Sequence, residues 1–160
     1  MPKNILIVDD NDLLRTSLNV LLTGHFEDVS FVEAANGKDA IEKARANPPD
    51  LIILDLAMPV MNGLSAAPIL KGLAPRAPIL LFTLYANELR DPYQFGVDVV
   101  VPKAKGADTF LNAVRELLAS HGTPIAPTAP VDRGTATLDE SPEDSDRPSP
   151  HRTTNESSQF

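Results

Sequence analysis

Five short apolar runs separated by stretches of helical periodicity constrain this chain more than anything else in it. They are Ile5 to Val8, Val29 to Val32, Leu51 to Leu54, Ile79 to Phe82 and the mostly valine segment Val97 to Val101. Continuous rather than alternating apolarity in runs this short predicts strands buried on both faces. Between them, Leu14, Leu18, Leu21 and Leu22 mark a first helix ending at Gly24. Asn36-Gly37-Lys38-Asp39 opens a second with a variant capping box, and it runs to Ala46 ahead of Pro48-Pro49. Pro68 predicts that a third helix starts near Ser65, which puts the proline in its first turn. Asp91-Pro92 predicts a short, late or distorted fourth helix, and Phe110, Leu111, Val114, Leu117 and Leu118 form the apolar face of a last one. Strand and helix alternating five times predict an α/β domain: a parallel sheet with helices on both faces.

The strand ends carry the chemistry. The first run leads straight into Asp9, Asp10 and, two residues on, Asp12. Two carboxylates about 5 Å apart repel by roughly 3 kcal/mol at an effective dielectric near 20. A tight turn after a buried strand has little freedom to splay them, so such a turn is suited to a cation. In open α/β sheets, ligands bind beyond the carboxyl ends of the strands, at the point where strand order reverses. Asp55 follows the third run, Thr83 the fourth, and Lys103 lies just after the fifth. If the first and third strands are neighbours, Asp9, Asp10 and Asp55 converge, with a hydroxyl and an ammonium opposite. Hard oxygen donors of this kind suit Mg²⁺, which takes one or two carboxylates, waters and a phosphate oxygen. A carboxylate can be the nucleophile that accepts a phosphoryl group. Thr83 can then hydrogen-bond one new oxygen, and Lys103 can pair with the added charge.

Composition narrows the function classes. The chain has 160 residues and a net charge of −8, which disfavours nonspecific attraction to nucleic acid or an anionic membrane. Without cysteine it has neither a disulfide framework nor a thiolate metal site. No apolar run is long enough to span a bilayer, and Ile5 to Val8 is too short for a signal-peptide core, so a cytoplasmic protein is expected. His25, His121 and His151 have no metal-ligand spacing. The character of the chain changes near Gly122. Six of the 15 prolines fall in the last 39 residues, beside serines and acids, and apolar periodicity is lost. The expected organisation is one domain over residues 1–121 and a disordered tail over 122–160.

Taken together, Asp9-Asp10, Asp55 in LIILDLAMPVMNG, Thr83 in ILLFT and Lys103 in VVVPKAKGA resemble the receiver domain of two-component response regulators. The resemblance covers about residues 3 to 120. It implies a flavodoxin-like, five-stranded doubly wound sheet of order 2-1-3-4-5. It implies that Asp55 accepts a phosphoryl group from a histidine kinase or phosphotransfer protein, and that the domain then switches an interaction with an output protein. It further implies that Asp10 contacts Mg²⁺ directly, Asp9 partly through water, and the backbone carbonyl of Ala57 completes the protein ligands. Met58-Pro59 and Asn62-Gly63 would shape the loop after Asp55.

Ala57 offers no general acid two residues after Asp55, and a Gly-rich phosphate loop is absent, so enzymatic turnover of phosphate esters is not expected. Two other readings stand beside the phosphoacceptor. One is a receiver-like interaction module that takes no phosphate; the other is the receiver part of a transcription regulator. The tail has three Arg, no Lys and seven acids, so DNA binding in cis is not expected. Three departures from the family pattern gather on one face, formed by the fourth crossover, the fifth strand and the last helix. Leu84 follows Thr83 where a small residue is common, and Val100 stands where an aromatic ring usually reports phosphorylation. The segment from Thr83 to Gly96 is a residue or two short and contains Pro92.

Overall fold

A computed structural model describes residues 1–120. The predicted tail, with His121 and His151, lies outside the described residues. The described chain runs β1 (Lys3–Val8), α1 (Asp12–His25), β2 (Val29–Ala34), α2 (Gly37–Ala46), β3 (Leu51–Leu54), α3 (Gly63–Leu73), β4 (Ile79–Thr83), β5 (Val99–Pro102) and α4 (Ala107–Ala119). The five strands form one parallel sheet of order β2-β1-β3-β4-β5.

The sheet separates two cores, which explains why its strands read as continuous apolar runs. Leu6, Val8, Ile52, Leu54, Ile79 and Leu81 face α2 and α3, where they meet Ala40, Ile41, Ala44, Ala66, Ala67 and Leu70. The alternate residues Ile5, Ile7, Leu51, Ile53, Leu80 and Phe82 face α1 and α4, against Leu18, Leu22, Phe110, Leu111, Val114 and Leu117. Both faces of β1, β3 and β4 are therefore dry, and polar alternation has no place in them. β2 is an edge strand, and all its residues but Ala34 are only half-buried.

Asparagine starts the first three helices. Asn11, Asn36 and Asn62 accept from the N–H groups of Leu14 (3.1 Å), Asp39 (2.9 Å) and Ser65 (2.9 Å). The predicted capping box at α2 closes one residue further out than usual: Asp39 accepts from the N–H of Ala35 at 3.2 Å. Three expectations need correction. α1 does not stop at Gly24 but runs through it to His25. α3 begins at Gly63 rather than Ser65, because Asn62 caps it there, so Pro68 stands inside the helix. Pro68 is exposed, and the carbonyl it leaves without a partner, that of Leu64, can be served by water. The fourth crossover contains no α-helix; it has two short 3₁₀ turns, Ala86–Glu88 and Pro92–Phe95. Asp91 takes a left-handed φ of 38° immediately before Pro92, and the residue before proline is disfavoured in the α region. Proline then removes the N–H that a continuing helix needs, so the segment folds as turns. Leu89 and Phe95 from these turns still pack on the α2–α3 side of the sheet.

Candidate functional site

Strand order decides which carboxylates meet. β1 pairs with β2 on one side and β3 on the other, so chain direction across the sheet reverses between β1 and β3. Val8 lies beside Leu54 at the last rung of the ladder. The Asp55 N–H donates to the Val8 carbonyl at 2.9 Å, and the Asp9 N–H donates to the Ala34 carbonyl at 3.1 Å. These bonds hold the two aspartates side by side at the carboxyl edge of the sheet. Asp10 follows in the exposed turn, and carboxylate oxygens of Asp9, Asp10 and Asp55 lie within 4.8 Å of one another. Asp12, the third acid of the sequence motif, leaves the group and pairs with Arg15.

Lys103 closes the site from the other side. It stands just beyond β5, and its Nζ lies 2.7 Å from Asp9 Oδ2 and 3.4 Å from Asp55 Oδ2. The ammonium also lies 5.8 Å from the centre of the Phe82 ring, which packs against Phe110. Part of the carboxylate repulsion is thus already offset by a protein cation. Burial, together with the neighbouring charge of Asp9, pushes the Asp55 carboxyl up to about 6 against an ordinary value of 3.8. Lys103 and the Leu56 N–H, which donates to Asp55 Oδ1 at 2.8 Å, pull the other way.

Thr83 ends β4, fully buried, and its Oγ1 accepts from the Tyr85 N–H at 3.1 Å. Leu84 is 70% exposed beside it, and Tyr85 is partly exposed. Ala57 lies in the exposed loop after Asp55. That loop returns so closely that a Cβ on Gly63 would fall 2.1 Å from the Asp55 carbonyl oxygen, and only glycine leaves this passage open. The predicted site residues Asp9, Asp10, Asp55 and Lys103 are therefore brought together. Arg15 and Glu33 were not legible as parts of the site's surroundings. Their only signal in the sequence was a basic residue in the first turn of a helix and an acid in an apolar strand. His25, in keeping with its lack of ligand spacing, places Nδ1 2.8 Å from the Leu21 carbonyl of its own helix.

The donor set fits a small divalent cation. Mg²⁺ with bonds near 2.1 Å spans ligand oxygens up to about 4.2 Å apart. Asp9, Asp10 and Asp55, with carboxylate oxygens within 4.8 Å of one another, would hold such an ion together with water.

The fold has known relatives. The family model for the response regulator receiver domain matches residues 5–115. The response regulator protein VraR of Staphylococcus saprophyticus is 35% identical over 119 residues, covering 72% of this chain and 56% of VraR. A CheY-like receiver domain protein from Methanospirillum hungatei superposes with a TM-score of 0.67 at 25% identity, over 74% of this chain and 95% of its own. A response regulator from Burkholderia pseudomallei, solved with a phosphorylated aspartic acid, calcium ion and citrate, gives a TM-score of 0.64 at 28% identity. That match covers 73% of this chain and 69% of the other. The chain belongs to the response regulator receiver family, the signalling domains of two-component systems. It spans about half the length of the curated relatives it matches first. No helix among the described residues is long and apolar enough to cross a membrane.

Proposed function

We propose that this chain accepts a phosphoryl group on Asp55 from a phosphohistidine of a kinase or phosphotransfer protein, and that the modified domain switches an interaction with an output partner. The observation that carries the reading is the convergence of Asp9, Asp10 and Asp55 within 4.8 Å, with Lys103 reaching both Asp9 and Asp55. One Asp55 carboxylate oxygen forms the new O–P bond as the P–N bond to the donor imidazole breaks. The imidazole leaves with the electron pair and takes a proton from water. A carboxyl held near 6 is mostly ionised at neutral pH and can act as this nucleophile. Lys103 then pairs with an added phosphoryl oxygen, while the Thr83 hydroxyl donates to another. Asp9, Asp10, Asp55 and the Ala57 carbonyl are the candidate ligands for Mg²⁺, which when bound supplies positive charge at the phosphoryl oxygens.

The test is intact-mass measurement after incubation with acetyl phosphate and Mg²⁺. One phosphoryl group should add to the parent and none to Asp55→Asn. Undiminished labelling of that variant would remove Asp55 from its role, and a parent that never labels would favour an interaction module without phosphorylation. A likeness to the transcriptional regulatory protein LnrK of Bacillus subtilis, 31% identical over 112 residues, supports a second reading for output, the receiver part of a transcription regulator. On that reading the receiver itself, with its acidic crevice, still binds no duplex. Retention of a labelled duplex by the 160-residue chain at physiological salt would contradict this.

A further inference from the structure

We propose that Arg15 is a positioning residue for the metal-binding turn: its guanidinium fixes the Asp9–Asp10 peptide and thereby aims the Asp10 carboxylate. The proposal rests on the reading of Asp9, Asp10 and Asp55 as a Mg²⁺ site.

Arg15 is in the wrong place for its charge. It stands in the first turns of α1, where the helix dipole favours anions. Its side chain is nonetheless only 12% exposed, and three of its nitrogens are used. Nε lies 3.1 Å from Glu33 Oε2 on β2, one terminal nitrogen donates to the Asp12 carboxylate, and the other donates to the Asp9 carbonyl. Three separate segments are thus tied by one rigid planar fork, which a lysine cannot reproduce. Glu33 has further partners of its own. Its Oε1 accepts from Asn19 Nδ2 at 3.4 Å, and its carbonyl accepts from Lys43.

The Asp9 carbonyl matters because of what shares its peptide plane. Asp9 has four polar groups, and the other three are held by the Ala34 carbonyl, by the Asn11 N–H at 2.8 Å and by Lys103 at 2.7 Å. Arg15 takes the fourth. A planar peptide oriented at its carbonyl is oriented at its N–H too, and that N–H belongs to Asp10. The Asp10 side chain is exposed and has no hydrogen bond or ion pair among the described residues. The Asp10 backbone is therefore the part that the fold holds, and Arg15 holds it through the Asp9 carbonyl.

Charge and geometry make opposite demands here, which makes the proposal testable. Removing Arg15 takes a cation from the neighbourhood of a divalent ion and frees the charges of Asp12 and Glu33, so by charge alone Mg²⁺ would bind more tightly. Loss of positioning weakens binding instead. The experiment titrates MgCl₂ into the full 160-residue chain at pH 7 and constant ionic strength, following amide shifts of the β1–α1 turn. Arg15→Lys keeps the charge and loses the fork, while Arg15→Gln loses both. Each should weaken Kd about tenfold, the usual cost of removing a group that orients a metal ligand. Equal or tighter binding in folded variants, with a parent that binds, overturns the role of Arg15. A parent that binds no Mg²⁺ overturns the metal site itself. The parent supplies a measurement independent of variant folding: because coupling is reciprocal, saturating Mg²⁺ should slow exchange of the Arg15 Nε proton with water. Unchanged exchange overturns the proposal.

Discussion

Replacing Asp55 with asparagine should stabilise the metal-free protein, and the gain should depend on pH. The folded chain holds the Asp55 carboxyl at about 6, against 3.8 for an unperturbed aspartate. The folded state therefore binds this proton more tightly than the unfolded state does. Ionised Asp55 lowers stability above about pH 6, and the penalty fades as pH falls toward 3.8. At roughly 1.4 kcal/mol per pH unit, the penalty is up to about 3 kcal/mol at pH 7 and about 1 kcal/mol at pH 4.5. Asparagine keeps an oxygen for the Leu56 N–H and carries no charge, while Lys103 keeps its closer partner, Asp9.

The assay is urea unfolding of parent and Asp55→Asn by far-ultraviolet circular dichroism, in EDTA at both pH values. The variant should gain about 2 kcal/mol more at pH 7 than at pH 4.5. Adding Mg²⁺ at ten times its Kd stabilises the parent by about 1.4 kcal/mol and narrows the gap at pH 7, because the variant lacks one charged ligand. A gain of equal size at both pH values would refute the electrostatic argument, since it would owe nothing to ionisation. No gain at pH 7 would show that the buried charge is already fully compensated.

Mg²⁺ should raise the melting temperature of the parent by several degrees and that of Asp10→Ala much less; an equal rise in both would locate the metal elsewhere. Gly63→Ala should cost about 3 kcal/mol in urea unfolding and slow phosphoryl labelling, because its Cβ meets the Asp55 carbonyl at 2.1 Å; a variant as stable as the parent would show that the loop shifts freely. With beryllofluoride as a phosphoryl mimic, amide shift changes at Leu84 to Asn87 should exceed those at Val99 to Val101, since Val100 is β-branched and too short to act as a rotating ring. The reverse ranking would make β5 the relay. Removing residues 122–160 should leave the melting temperature nearly unchanged, as expected for a tail without apolar periodicity, and a large loss would mean that it docks on the domain.

The sequence by itself determined the building blocks. Ile5-Leu6-Ile7-Val8 and Leu51 to Leu54 could be read as strands with two buried faces, because a period of two sends neighbouring side chains into different cores. The asparagine cap of α2 and the acids at the strand ends were legible for the same reason: each is a signal spread over a few consecutive residues. Pro92 announced trouble in the fourth crossover but not its outcome, since two 3₁₀ turns depend on the left-handed Asp91 and on packing of Leu89 and Phe95. Tertiary structure decided which carboxylates share the site. Asp12 is three residues from Asp9 and outside the cluster, while Asp55 is inside it because β3 lies beside β1. Lys103 bonds Asp9 across 94 positions of sequence, and Gly63 is needed only because its loop returns onto the Asp55 carbonyl. Arg15, on α1, likewise acquires its meaning from Glu33 on β2. Local sterics and periodicity act over a turn or a rung and leave a trace in adjacent residues. Strand order and loop return are set by how the two apolar faces are covered at once, so the neighbours they create become visible only in the folded chain.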